Sequence, residues 1–236
     1  TGQTAVCLAS SGPGATNLVT AITNAKLDSI PLVCITGQVS SSMIGTDAFQ
    51  EVDTYGMSIP ITKHNYLVRD ISELARVIPA AFRIAQSGRP GPVWIDIPKD
   101  VQTATIELDS LPEPGMADSP CPIDPVAIAQ AAQMINRALR PVLYLGGGIV
   151  CSEAHQQAIQ LAEQAGLPTT MTLMALGTMP VDHPLSLGML GMHAARSTNL
   201  IMQQADKMIV LGARFDDRAI GKAEQFCPDA SIIHID

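Results

Sequence analysis

Short apolar runs alternate with longer amphipathic stretches along the whole chain. TAVCLA (4–9), PLVCITG (31–37) and PVWIDI (92–97) are rich in β-branched and aliphatic residues, too short for helices, and read as buried parallel strands. Between the second and third, Leu74, Val77, Ile78, Ala81, Phe82 and Ala85 follow the i, i+3, i+4 spacing of one helical face. Ser72 is the expected N-cap and Gly88 the expected stop, while Pro79 should kink that helix or mark its true start.

Periodicity is lost over IELDSLPEPGMADSPCPID (106–124), where four prolines fall in one stretch, two of them flanking Cys121. This reads as an extended linker, giving a first domain over 1–105, a linker over 106–123 and a second domain over 124–236. Asp124 and Pro125 form an N-cap and N1 pair that opens an Ala-rich helix to about Leu139. PVLYL (141–145) then runs into Gly146, Gly147 and Gly148, followed by a helix from Ser152 to Ala165 that Gly166 ends. PTTMTL (168–173), KMIVLG (207–212) and SIIHID (231–236) are the following strands. The fold class expected is α/β, two doubly wound parallel-sheet domains, the second resembling a nucleotide-binding sheet. That series stops in mid-strand and the first domain shows three strands, so both ends are expected to be cut from a longer chain.

Composition narrows the function. The chain has 236 residues, 47% hydrophobic but only 3% aromatic, which suits aliphatic strands sandwiched by Ala-rich helices. A formal charge of -8, with no basic stripe, argues against nucleic acid and anionic membrane as partners. No apolar run reaches the roughly 18 residues needed to span a bilayer. Cys7, Cys34, Cys121, Cys151 and Cys227 are odd in number and widely spread, without metal-ligand spacing. Reduced thiols in the cytoplasm are expected, or in an organelle if a transit peptide has been removed.

Candidate chemistry gathers at strand ends. In an open parallel sheet, backbone amides at glycine-rich turns can meet a diphosphate, and Gly146–Gly148 occupy such a place, although Cys151 breaks the GxGxxG pattern. An ordinary tight turn is the alternative there. GARFDDRAIG (212–221) puts Arg214 and Arg218 where they can face phosphate oxygens and Asp216 or Asp217 where it can accept from a hydroxyl. A solvated loop of mutual ion pairs is the alternative. Asp236 closes the next strand, where an acidic residue commonly holds a ribose hydroxyl. Met171, Met174, Met179, Met189 and Met192 crowd one stretch, as core filling or as the bed of a planar ring. SSGPG (10–14) lies between a strand and a helix, where its amides could meet an anion or simply make the turn, the favoured reading, and TDAFQE (46–51) reads as a capping box between Asp47 and Gln50. The five histidines form no triad or metal pair, and His64 and His193 read as ordinary loop or core residues.

ASSGPGATNLVTAI, ITGQV, MIGTDAFQE, ITKHNYLV, SGRPGPVWIDIPKDV, LYLGGGI, LGMLGMH and GARFDDRAIG, in that order, resemble acetolactate synthase catalytic subunits over essentially the whole chain. SGPGATN recurs across thiamine-diphosphate enzymes, whereas GTDAFQE with ITKHN and GMH with GARFDDR point to this one family. The resemblance implies a three-domain subunit using thiamine diphosphate, Mg²⁺ and FAD. This chain would hold the later part of the pyrimidine-binding domain and most of the central FAD-binding domain. The activating glutamate and the Mg²⁺ and diphosphate ligands would lie outside it, leaving the piece inactive alone.

The resemblance also implies a reaction, the decarboxylation of pyruvate and its joining to a second 2-oxo acid, pyruvate or 2-oxobutyrate, in branched-chain amino-acid biosynthesis. FAD, without a net redox part, would rest on Arg89, on Gly146, Gly147 and Gly148, and on Thr172 and Leu173. It would continue along Leu190, Gly191, Met192 and His193, then Gly212, Ala213, Arg214, Asp216, Asp217 and Arg218, with Asp236 at the next strand end. Gln50 and Phe49 would line the active-site entrance across a dimer interface, and Lys99 the same channel. A homodimer or tetramer and a small regulatory subunit are the implied partners. Ser40, Ser41 and Ser42 stand where many family members carry Pro and Arg, and Ala194 replaces the Gly usual after GMH. Alternatives are a pyruvate oxidase or glyoxylate carboligase on the same plan, or a non-catalytic nucleotide-binding module.

Overall fold

The computed structural model describes residues 2–236 and divides them into two compact units, Thr1–Cys121 and Pro122–Asp236. In the first unit, strands β1 (Ala5–Ala9), β2 (Leu32–Gln38), β3 (His64–Leu67) and β4 (Pro92–Pro98) form a parallel sheet of order β1-β2-β4-β3. Helices α1 (Pro13–Thr16), α2 (Val19–Leu27), α3 (Thr54–Ser58), α4 (Leu74–Gln86) and α5 (Lys99–Thr103) complete it. Alternation along the strands sorts the core into two faces. Val33, Val93 and Ile95 pack under Val77, Ala81 and Ala85 of α4, while Cys34 and Trp94 pack with Ala15 and Ile22 on the opposite side. Register places Thr36 beside Asp96, two residues beyond the Cys34–Trp94 pair, so a polar pair continues the Trp94 face to the carboxyl edge.

Three local readings change. The 3-10 turn Ile71–Glu73 that leads into α4 is capped by Asp70, not Ser72: Asp70 accepts from Ser72 N at 2.8 Å and Glu73 accepts from the Asp70 amide at 3.2 Å. Pro79 lies inside α4, and Gly88 follows the helix end with φ 55. The fourth strand, β3, was missed because its HNYL sequence lacks an apolar run; a buried Asn65 sits at its centre. The linker segment lacks helix and strand from 104 to 124. Within the first unit it runs against α4, where Arg83 grips Asp118 at 2.9 and 3.1 Å and Gln86 donates to Gly115 O at 3.2 Å.

In the second unit, α6 (Pro125–Arg137) starts as expected, with Asp124 accepting from Val126 N at 2.9 Å. Strands β5 (Pro141–Leu145), β6 (Thr169–Met171), β7 (Ser186–Met189), β8 (Lys207–Leu211) and β9 (Ser231–Ile235) form a parallel sheet of order β7-β6-β5-β8-β9. The direction of winding reverses between β5 and β8, the crevice where open α/β sheets receive ligands. The helix expected over 152–165 is two pieces, α7 (Gly147–Cys151) and α8 (His155–Ala165), broken at Glu153 with φ 55 and ended at the left-handed Gly166. Helix α9 (Arg196–Gln203) and strand β7 had no clear periodic signal; α10 (Asp217–Ile220) is a single turn.

Candidate functional site

The carboxyl edge of the first sheet opens on a cavity of about 390 Å³ lined by Ser10, Ser11, Gly37, Gln38, Lys99 and Gln102, among others. Lys99 opens α5 directly after β4 and is exposed at this rim. Gln50 is not among the lining residues but packs on Gly12, which follows the lining Ser10 and Ser11. The turn SSGPG brings Gly12, at φ 58, so close that a Cβ there would lie 2.7 Å from Gln50 O and 2.9 Å from Gln50 Cβ. Gln50 itself has φ 59, a left-handed backbone that a residue with a side chain adopts only when its surroundings hold it. Phe49, its neighbour, is 87% exposed.

The capping box read into TDAFQE is not formed. That segment is a tight turn, with Ala48 N donating to Thr46 O at 2.7 Å and Glu51 N to Ala48 O at 3.1 Å. The cap belongs to Asp53, which accepts from Gly56 N at 2.8 Å at the start of α3. Glycine at 56 matters, because a Cβ would meet the Asp53 carboxylate at 2.3 Å.

Arg89 also lies in the first unit, where its guanidinium donates to Ser29 Oγ at 2.8 Å and Leu27 O at 3.3 Å. In the second unit two of the glycines at the β5–β8 crevice, Gly146 and Gly148, are engaged with the turn after β8. Gly146 N donates to Leu211 O and Gly148 N to Gly212 O, both at 2.9 Å. A Cβ at 146 would fall 2.0 Å from Gly212 O and 2.3 Å from Ala213 Cα. A Cβ at 148 would fall 2.7 Å from Gly212 Cα. Two backbone turns are therefore in mutual contact, and side chains are excluded by that contact first. Gly147 differs, facing only the Met174 Cβ at 3.1 Å.

The remaining candidates divide by burial. Leu190 and Ala213 belong to the core with Tyr144 and Met208, while Met171 and Met179 fill the other face. Leu173 (70% exposed), Met174 and Met192 stand out at the surface with His193. Thr172 ends β6 with its Oγ1 buried and without a hydrogen-bond partner. A buried hydroxyl left so costs about 1–3 kcal/mol unless a ligand or water meets it. Gly191 and Met192 dock on the GARFDDR turn: Met192 N donates to Arg218 O at 2.9 Å, and a Cβ at 191 would be 2.3 Å from Arg218 O.

Three of the residues expected as ligands in that turn, Asp216, Asp217 and Arg218, also make local contacts. Asp216 is the N-cap of α10, its Oδ1 accepting from Arg218 N at 3.0 Å and Ala219 N at 2.9 Å. Asp217 and Arg218 pair with each other at 3.6 Å, both exposed. Tyr144 OH donates to Arg214 O at 3.3 Å, and burial raises the phenol above its ordinary range. His234 contacts Ala213 O at 2.9 Å, and Asp236 follows β9 at the surface. Among the described residues no group of three or more His, Cys, Asp or Glu is placed to hold a metal.

Comparison with known families places residues 1–57 in "Thiamine pyrophosphate enzyme, N-terminal TPP binding domain" and residues 128–236 in "Thiamine pyrophosphate enzyme, central domain". The chain is 70% identical over its whole length to the acetolactate synthase isozyme 1 large subunit of Escherichia coli, covering 42% of that protein. The chain belongs to the acetolactate synthase large-subunit family. It is also 48% identical, again over its whole length, to the acetolactate synthase large subunit of Corynebacterium glutamicum and to the isozyme 2 large subunit of Escherichia coli. It spans 38% and 43% of those two relatives, so it corresponds to less than half of an acetolactate synthase large subunit.

Sequence reasoning missed one cluster in the first unit. Asp96, 1% exposed, accepts from Thr36 Oγ1 at 2.7 Å, from Gln38 Nε2 at 3.0 Å and from Thr54 Oγ1. Its signal was present: an aspartate inside the apolar run PVWIDI must either interrupt the strand or be buried with partners. Burial pushes this carboxyl above its ordinary range, against the pull of the Thr54, Thr36 and Gln38 donors.

Proposed function

We propose that the chain is part of an acetolactate synthase catalytic subunit, which decarboxylates pyruvate and joins the remainder to pyruvate or 2-oxobutyrate. The observation that carries this reading is the left-handed Gln50 braced on Gly12, next to the cavity that Lys99 lines. Thiamine diphosphate, when bound, supplies the electron sink for decarboxylation and carbon–carbon bond formation. The residues of this chain bind and orient. The Gln50 amide donates to the acceptor's carbonyl or carboxylate, the Lys99 ammonium attracts 2-oxo acid anions to the rim, and Phe49 shields the tip from water. The ligands of the cofactor's diphosphate and of Mg²⁺ are assigned, in this proposal, to sequence outside this chain.

The second unit is read as the site of FAD. The unpartnered Thr172 hydroxyl and the exposed Leu173, Met174 and Met192 offer a polar contact and a soft apolar bed, with Arg214 and Arg218 as cations for its phosphates. Flavin content of purified Arg214→Ala protein is expected to fall. The exposed Phe49 supports a homodimer or tetramer, and a small regulatory subunit completes the proposed assembly. The five cysteines, all free, support a reducing cytoplasm.

The test is a colorimetric acetoin assay on the full-length subunit with thiamine diphosphate, Mg²⁺ and FAD supplied. Acetolactate formation from pyruvate is expected; no product under full supplementation refutes the reading.

A further inference from the structure

We propose that Asp96 is a positioning residue for carboligation, acting through Thr54 and Gln38 to fix the loop that presents Gln50. The proposal rests on the acetolactate synthase reading and assigns a task to a group that reading does not use. Asp96 lies in the sheet on β4, the strand next to β2 from whose end the loop departs, and is closed off from solvent. Its carboxylate collects three donors, and each donor reaches a different place. Thr36 is itself fixed by Trp94 Nε1 at 2.7 Å, which ties the carboxylate to the core. Thr54 Oγ1 and the Gln38 amide tie it to the loop: Gln38 Nε2 also donates to Val52 O at 2.8 Å, and Gln38 Oε1 accepts from Val39 N at 2.8 Å. The exit of the loop, residues 52–54, is therefore bound to the sheet by Gln38 and Thr54, and both side chains meet at the one carboxylate.

The loop's entrance is bound from the same strand–helix corner. Asp100, on α5, accepts from Ser41 N at 2.9 Å and Ser41 Oγ at 3.1 Å. Between these anchors the tip has short-range turn bonds and a long contact from Gly45 N to Glu51 Oε1 at 3.4 Å. Gln50 keeps its left-handed backbone in that tip, pressed on Gly12. Such a conformation persists only where the flanking chain is held. An apolar core would hold the sheet as well without a buried carboxylate, so the carboxylate's distinct effect is on where the loop goes.

Isosteric changes separate this role from simple stability. Thr54→Val removes one loop bond at nearly constant volume. Asp96→Asn keeps the connections: its amide oxygen accepts from Gln38 and Thr54, and its amide nitrogen donates to Thr36 Oγ1. In the full-length holoenzyme given pyruvate, a two-carbon remainder that misses its acceptor takes up a proton and leaves as acetaldehyde, with one CO₂ released per pyruvate consumed. The ratio of acetaldehyde to acetolactate thus reads acceptor positioning, whereas partial unfolding lowers both products together.

For Thr54→Val that ratio is expected to rise roughly fivefold, the scale of one lost buried hydrogen bond. Asp96→Asn should stay near wild type. Amide hydrogen exchange over 45–52 should accelerate in Thr54→Val and not in Asp96→Asn. A wild-type ratio in Thr54→Val, or unchanged exchange, overturns the proposal. If wild-type enzyme makes no acetolactate, the functional reading fails, and with it the positioning role; faster exchange in Thr54→Val would then report a structural latch only.

Discussion

Replacing Gly146 by Ala tests whether the glycines at the β5–β8 crevice serve flexibility or contact. The backbone at 146, φ −114 and ψ 178, is one that any residue adopts, so a flexibility argument predicts that Ala is neutral or slightly stabilising. Contact predicts the reverse. The new Cβ would sit 2.0 Å from Gly212 O, 2.3 Å from Ala213 Cα and 2.5 Å from Ala213 Cβ, and alanine has no rotamer with which to escape. The ends of β5 and β8 must part, weakening the two 2.9 Å bonds from Gly146 N and Gly148 N. Overpacking of about 1–3 kcal/mol with about 1 kcal/mol for each bond gives roughly 3–5 kcal/mol of destabilisation. At a slope of about 2 kcal/mol per M the urea midpoint should fall by roughly 2 M. Gly166→Ala is the control: φ is 62 but nothing lies within 4 Å, so only the left-handed backbone is penalised, about 1 kcal/mol. Far-UV circular dichroism of the chain follows both units and fluorescence of Trp94, the single tryptophan, the first alone, so a shift seen by dichroism and not by fluorescence belongs to the second. Equal midpoints for Gly146→Ala and wild type would refute the contact argument.

Three further outcomes are expected. Thr172→Val should stabilise flavin-free protein by about 1–3 kcal/mol through loss of an unsatisfied hydroxyl, yet lower flavin content after purification; a destabilised flavin-free variant would show that the hydroxyl already has a partner. Gln50→Gly should raise the urea midpoint modestly, by roughly 0.5–1 kcal/mol of relieved left-handed strain, while reducing acetolactate formation by the full-length subunit. Asp96, held above its ordinary 3.8 by burial, favours folding in its protonated form, so its contribution is complete below that value and lost as pH rises through the raised one. Asp96→Asn should therefore gain stability relative to wild type across that window, and a pH-independent difference in urea midpoints would rule out the shift.

Much of the fold was legible because parallel strands buried on both faces are written as short apolar runs. VCIT and VWID in the first unit and KMIVL in the second needed no tertiary information. The strands that escaped were those without such runs. β3 buries Asn65, whose amide donates to Tyr55 O at 2.6 Å and Ser58 Oγ at 2.8 Å, so its polarity is satisfied by partners that no local window contains. β7 carries Gly188 at φ 70, and its pairing with β6 shifts register between Thr169 and Met171. Helix ends fared better where a side chain caps its own turn, as with Asp124, and worse where two candidates compete, as with Asp70 and Ser72.

Site residues were legible as positions but not as roles. Glycine runs at strand ends mark places where backbones come close, and sequence does not say whether the approaching group is a ligand or another turn. At Gly146 and Gly148 it is Gly212. Aspartates near a helix start are read equally well as ligands or caps, and the capping part of Asp216, its Oδ1 on the amides of Arg218 and Ala219, is visible only in the fold. The tip residue Gln50 shows the converse. Nothing in TDAFQE announces a left-handed backbone, because the conformation is imposed from outside, by Gly12 after β1 and by anchors on Asp96 and Asp100. Those three positions are separated from Gln50 by tens of residues in sequence, yet each meets the loop or its tip at one sheet edge. The chemistry of the tip is therefore a property of the edge that holds it, and a change that breaks the bonds from Asp96 to the loop, or crowds Gly12, should alter acceptor handling as a change at Gln50 itself does.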